Sequence, residues 1–205
     1  IGGKALRAVA AGEAAGKASD AGSARPSELA QEAVDAARDA LQRHDGPIVL
    51  ARAAEALWES DPAAGEATVR EAQAEAEKPR DAWAADGARR AAAEALCRID
   101  LPAALAMADA ISNTDTAIGC RLSIAERIAA TRPADAEALV AQCLRLRREQ
   151  DDAGVRYKTG VPRPDEVGPA VGRIAYAMAG VDAGRAAGVA RSAGRPAERA
   201  RALAH

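Results

Sequence analysis

The feature that most restricts the fold is a recurring passage in which an alanine-rich or isoleucine-bearing segment ends a few residues before a proline. It occurs three times: at 53–57 before Asp61-Pro62, at 92–96 before Leu101-Pro102, and at 124–128 before Arg132-Pro133. Proline has no backbone N–H and clashes with the preceding turn, so it ends one helix and fits well in the first turn of the next. Each passage therefore predicts a helical hairpin: a helix A, a tight turn and a helix B.

Two further copies extend the pattern at the two ends of the chain. The fourth, at 174–178 before Asp182-Ala183, lacks the proline, and a fifth is indicated by Pro26. A single hairpin cannot bury its apolar faces, so such units stack. We therefore predict an all-α fold, a right-handed α/α solenoid of about four to five helical hairpins, forming one domain over residues 1–205. Because the chain starts at Ile1 without Met, we expect it to be a fragment of a longer protein.

Composition supports helices and excludes strands. Alanine makes up about 29% of the chain, there is no Phe, and the aromatic residues are Trp58, Trp83, Tyr157 and Tyr176. Alanine is the best helix former, whereas strands are rich in β-branched and aromatic residues. A β-sandwich or barrel is therefore excluded, and close helix–helix contacts over small side chains are expected.

The hairpins resemble a known class of helical repeats. The residues that carry the resemblance are Ile124-Ala-Glu-Arg-Ile128, Pro133-Ala-Asp-Ala-Glu-Ala-Leu139 and their counterparts at Pro62 and Pro102. Over about 46–190 the chain looks like the tetratricopeptide/HEAT class, and most like the Ala-rich hairpin arrays of high-GC (actinobacterial) bacteria. The aromatic and Gly-Tyr positions of the tetratricopeptide pattern are absent. The resemblance implies protein or peptide binding, often as the scaffold or sensor part of a larger regulator.

Charge and cysteine content limit the classes of partner and the kinds of site that we expect. The formal net charge is −2, with a mildly acidic first half and a mildly basic second half, which gives little reason to expect nucleic acid binding. No apolar run is long enough for a membrane span. Cys97, Cys120 and Cys143 lie in helical patterns, which favours buried thiols in a reducing, cytoplasmic setting. We expect no metal and no cofactor, because the two histidines, His44 and His205, have no ligand cluster around them.

The candidate binding residues come from the polar segments between hairpins and from one helix end. Trp83 is predicted to lie in a polar return at 78–87, and Trp is common among interface hot spots. A second return at 151–168 contributes Arg156, Tyr157 and Lys158. Arg147 and Arg148 end a predicted B helix, where positive charge complements the helix dipole. No nucleophile–base arrangement is present, so no catalytic residue is assigned.

Two functions follow from these observations. The first is a protein- or peptide-binding helical-repeat module, acting as the scaffold or sensor part of a larger regulatory protein. The alternative is a small-ligand receptor or an enzyme whose pocket lies between repeats near 151–168. Helical-repeat DNA binding is a third, less favoured reading, because it needs a basic concave face and the first half is acidic.

Overall fold

The computed structural model describes residues 26–42, 45–78, 81–152 and 167–192. These ranges contain nine α-helices and no strand, so the all-α prediction is confirmed. The helices are α1 (Pro26–Asp39), α2 (Gly46–Ser60), α3 (Pro62–Ala76), α4 (Ala82–Leu96), α5 (Leu101–Asp109), α6 (Thr114–Ile128), α7 (Pro133–Asp152), α8 (Val167–Ala179) and α9 (Ala183–Ser192). Within the same ranges, every helix is too short or too polar to cross a membrane.

The helices fall into two compact units, which divide between Asn113 and Thr114. In the first unit, α2 packs against α3, α4 packs against α5, and α2 also contacts α1 and α4. In the second unit, α6 packs against α7, α8 packs against α9, and the contacts of α6 with α8 and of α7 with α9 join the two pairs. Each unit therefore contains helical hairpins stacked side by side, as expected for helical repeats.

The turn between helix A and helix B has the same geometry in the four hairpins that lie within the described residues, α2–α3, α4–α5, α6–α7 and α8–α9. Four residues after the last core residue of helix A, a backbone N–H donates back to that residue's carbonyl oxygen. The distances are 2.7 Å for Asp61 to Leu57, 2.8 Å for Asp100 to Leu96, 2.7 Å for Arg132 to Ile128 and 2.8 Å for Asp182 to Met178. The same turn residue then precedes helix B in each case.

In three of the four hairpins, the turn residue is an aspartate that caps helix B. The Oδ1 atoms of Asp61, Asp100 and Asp182 accept from the backbone N–H three residues later, at 2.9–3.0 Å. These bonds satisfy one of the backbone donors that a helix N-terminus leaves without a partner. In the third hairpin Arg132 takes the capping position, and its Nε lies 2.8 Å from Asp135 Oδ2.

This capping pattern corrects the sequence alignment at one hairpin. An alignment on the prolines matches Leu101-Pro102 with Asp61-Pro62. In the structure, however, Asp100 is the N-cap of α5 and Leu101 is its first residue. The second hairpin is therefore shifted by one residue relative to the proline-based alignment. A proline fits either of the first two helical positions, whereas a capping side chain must stand immediately before the helix, so the aspartate fixes the register.

When the hairpins are aligned on the turn residue, their buried positions match without any insertion or deletion. The residue four before the turn is buried in every copy: Leu57, Leu96, Ile128 and Met178. Four residues after the turn a small residue is buried: Gly65, Ala104, Ala136 and Ala186. At Gly65 a Cβ would lie 2.6 Å from the Trp58 Cα, so α2 and α3 meet backbone to backbone. About half of the buried apolar residues are alanines, which permits this close packing.

Two polar connections predicted between hairpins, at 78–87 and 151–168, are shorter in the structure. Trp83 lies in the first turn of α4, not in a polar return, because Asp81 caps the helix by accepting from the Ala84 N–H at 3.0 Å. Helix α7 continues to Asp152, and α8 already begins at Val167, so the edges of the predicted 151–168 return are helical. The described helices form two compact units, and the single domain over 1–205 remains a prediction.

Candidate binding surface

The outward side of α2 and α4 in the first unit carries the most exposed aromatic side chain of the described residues. Trp83 is 73% exposed in the first turn of α4. One turn later, a Cβ on Gly87 would lie 3.1 Å from the Ile48 Cδ1 of α2, which shows that the two helices are in close contact there. Arg52 and Arg90 follow at helical spacing along the same side. We call this surface, defined by Ile48, Arg52, Trp83, Gly87 and Arg90, the A face.

The charges of the A face are organised around a buried carboxylate. Glu94 of α4 is 2% exposed, with Arg52 Nη2 at 2.7 Å from Oε2 and Arg90 Nε at 2.8 Å from Oε1. Burial alone would raise the pKa of Glu94, but its bonds and charge interactions with Arg90 and Arg52 outweigh burial and leave the pKa below its usual value. The carboxyl group is therefore ionised at neutral pH.

The network around Glu94 is nearly neutral as a whole. Arg52 Nη1 also lies 3.1 Å from Glu55 Oε2, so two guanidinium groups face two carboxylates. Both arginine side chains remain roughly two-fifths exposed, and guanidinium offers five N–H donors. The A face can therefore donate hydrogen bonds to a partner while carrying little net charge.

The second unit repeats part of this arrangement with a different aromatic residue. Arg173 Nε of α8 lies 2.8 Å from Glu126 Oε1 of α6. Tyr176, one turn after Arg173, occupies the repeat position held by Glu55, Glu94 and Glu126 in the other hairpins and is 64% exposed. Val181, in the turn that follows α8, is also exposed.

The residues chosen from sequence lie in different parts of the molecule. Trp83 is exposed in the first unit, as a binding role requires. Arg147 and Arg148 are on α7 in the second unit, where Arg147 Nη1 lies 3.8 Å from Asp115 Oδ1 and Arg148 Nε donates to the Leu144 carbonyl at 3.2 Å. The remaining three, Arg156, Tyr157 and Lys158, lie outside the described residues. Their role in binding stays a prediction.

The other residues of the A face and the exposed Tyr176 were not among the binding residues predicted from the sequence. The signal for Tyr176 was present, because the fourth copy reads Ile-Ala-Tyr-Ala-Met where three others have Glu at the central position. No local pattern marks the pairing of Arg52 with Glu94, since the two residues belong to different hairpins. Among the described residues, no group of three or more His, Cys, Asp or Glu could hold a metal ion.

Comparisons with known proteins leave the family open. No family model matches this chain, and comparisons with curated proteins and with solved structures find no similar protein. The likeness to tetratricopeptide and HEAT repeats therefore rests on the helical-hairpin pattern alone.

Proposed function

We propose that this chain is a protein- or peptide-binding module, a right-handed α-solenoid of four to five hairpins that serves as the scaffold or sensor part of a larger regulatory protein. The observation that carries the proposal is Trp83, which is 73% exposed on a helix whose other large apolar residue, Leu96, is buried. Exposed tryptophan loses water contact only when a partner covers it, and such residues dominate many interfaces.

The A face is suited to a partner that is recognised mainly by shape and apolar contact. Trp83 and Ile48 offer apolar surface, and Arg52 and Arg90 are already paired with carboxylates. A partner that docks here does not need to neutralise a strong charge. Backbone carbonyl groups of a peptide or helix are suitable acceptors for the exposed guanidinium N–H groups.

Site-specific photo-crosslinking tests the proposal. A benzophenone amino acid placed at Trp83 is expected to yield a discrete crosslinked protein in the source cell, whereas the same group at Ala106, exposed on α5, should not. The captured partner is then purified, and its affinity for Trp83→Ala should fall by at least tenfold. Ala106→Ser is the matched control and should bind like the parent.

Other outcomes separate the competing functions. Equal crosslinking at both positions, or unchanged affinity of Trp83→Ala for the purified partner, would contradict the proposal. A small metabolite that raises the melting temperature, with no protein captured, would support the receptor or enzyme alternative near 151–168. Because Trp83 is exposed, its replacement should change the free energy of unfolding by no more than about 0.5 kcal/mol, which keeps folding and binding effects apart.

A further inference from the structure

A buried aspartate of α4 holds the short connection between α5 and α6. Asp86 is 5% exposed, and its Oδ1 accepts from the Ser112 N–H at 2.9 Å. Its Oδ2 accepts from the Ser112 hydroxyl and from the Asn113 N–H, both at 2.8 Å. One carboxylate thus accepts hydrogen bonds from three donors on Ser112 and Asn113. Asn113 is the last residue of the first unit.

A second charged residue on the same helix holds the other end of the connection. Arg89, one turn after Asp86, donates from Nη1 to the Ala110 carbonyl at 3.2 Å, and the same Nη1 lies 3.8 Å from Asp86 Oδ1. The carbonyl is one that the C-terminus of α5 leaves without an intrahelical partner. Both ends of the segment 110–113 are therefore fixed to α4 by charged side chains.

Comparison of the hairpins shows that this arrangement is special to the second one. Counted back from the turn residue, Asp86 corresponds to Pro47, Ile118 and Gly168. Arg89 corresponds to Leu50, Arg121 and Val171. An aspartate at a position that is apolar or small in the other hairpins is expensive to bury unless it is fully hydrogen-bonded, so its presence here calls for a specific role.

We propose that Asp86 is a positioning residue whose charge, together with Arg89, locks the connection 110–113 onto α4 and so gives the first unit an ordered end that opens locally when that charge is removed. The lock is a conformational device and does not depend on the proposed binding function. Burial opposes ionisation of Asp86, but the bonds from Ser112 and Asn113 and the charge of Arg89 prevail and keep its pKa below the usual value. The carboxylate is thus charged at neutral pH.

Amide hydrogen exchange of the full chain, resolved at Ser112 and Asn113, tests the lock. Asp86→Asn removes the charge and replaces one of the two acceptor oxygens with an NH2 group, so one set of bonds is lost and the other loses its charged acceptor. Both amides should therefore exchange faster, by about 10- to 100-fold for the amide that loses its bond to a charged group. Amides in the middle of α2 and α4 should keep the parent rates. Asp61→Asn, which retains the cap of α3, is the control and should leave Ser112 and Asn113 unchanged.

A second variant keeps the test decisive if Asp86→Asn does not fold. Ser112 is exposed, and Ser112→Ala removes only the hydroxyl bond, so exchange at the two amides should rise severalfold in a folded protein. Parent-like rates in Asp86→Asn would overturn the proposal, as would parent-like rates in Ser112→Ala if the first variant is unfolded.

Discussion

At the scale of single residues, the most informative feature is a charge that stays ionised inside the molecule. Glu94 is almost fully buried, yet two guanidinium groups on different hairpins hold its carboxylate. Such an arrangement offsets the loss of hydration only while both partners are present. Glu94 is therefore expected to matter for stability far more than the ion pairs on the surface.

Replacement of this carboxylate gives a direct measure of its contribution. Glu94→Gln should lower the free energy of unfolding by about 1.5–3 kcal/mol, the usual loss for hydrogen bonds to charged groups. Glu59→Gln is the control: Glu59 and its partner Arg98 are both more than half exposed, and the change should stay within about 0.5 kcal/mol. Urea denaturation measures both variants, and equal losses would contradict the assigned role of Glu94.

The same carboxylate makes part of the stability depend on pH. The pKa of Glu94 is lower in the folded than in the unfolded chain, so its contribution is complete above the unfolded value of about 4.3 and is lost as the pH falls through the folded value. The stability difference between the parent and Glu94→Gln should therefore be constant above about pH 5 and shrink below it. A difference that does not change with pH would show that Glu94 acts by packing alone.

The cysteines provide a second test at this scale. Cys97, Cys120 and Cys143 are all buried, as the sequence predicted, and burial raises the pKa of Cys143 to about 12, with Arg121 acting weakly in the opposite direction. The thiol form of Cys143 therefore predominates at pH 8. Because all three side chains are buried, a thiol reagent should label no cysteine of the native protein within minutes and all three in guanidinium. An added exposed thiol, Ala106→Cys, should react at once and shows that the reagent is active.

At the scale of helices, the sequence predicted the hairpins well because proline and aspartate act locally. A proline in the first turn of helix B and an aspartate at its N-cap depend on neighbours within four residues, so both can be recognised in the sequence. The register at Pro102 was wrong by one residue because proline tolerates two positions. Trp83 was placed outside a helix because the polar residues before it hid the capping role of Asp81.

Two glycines allow a matched test of how closely helices A and B approach. In Gly65→Ala the new Cβ would lie 2.6 Å from Trp58 Cα and 2.7 Å from Trp58 N, so the helices must separate, at a loss of about 1–3 kcal/mol. In Gly184→Ala the nearest atom is Asp182 Oδ1 at 3.5 Å, and the better helix propensity should stabilise the protein by about 0.5 kcal/mol. Thermal unfolding followed by circular dichroism compares them. Similar melting temperatures would mean that α2 and α3 are not in backbone contact.

At the scale of the whole molecule, the division into two compact units could not be predicted from the sequence. The segment before Thr114 looks like any other polar return, and its attachment depends on Asp86, which lies 26 residues earlier in the chain. The pairing of Arg52 with Glu94 was equally hidden. Local signals thus predicted the helices, whereas the surroundings of the A face arise only from contacts between hairpins.

A charge introduced into the core of the second unit tests whether the stability of that unit depends on its own core packing. Ile128 is buried at the end of α6, so Ile128→Asp should destabilise the second unit by several kcal/mol. Hydrogen exchange is expected to show loss of protection in α6 to α9, with α2 and α4 still protected. Ala130→Asp, two residues away and exposed, should melt like the parent. If Ile128→Asp melts at the parent temperature, the core register assigned to α6 is wrong.

The alanine-rich core has a consequence for how the protein responds to temperature. Exposure of apolar surface on unfolding raises the heat capacity, and exposure of polar surface lowers it. A core in which about half of the buried apolar residues are alanine hides little hydrocarbon for each peptide group it buries. The heat-capacity increment of unfolding should therefore fall below the usual ~12–15 cal/mol/K per residue, and the free energy of unfolding should follow a broad, shallow curve from the cold to the melting point.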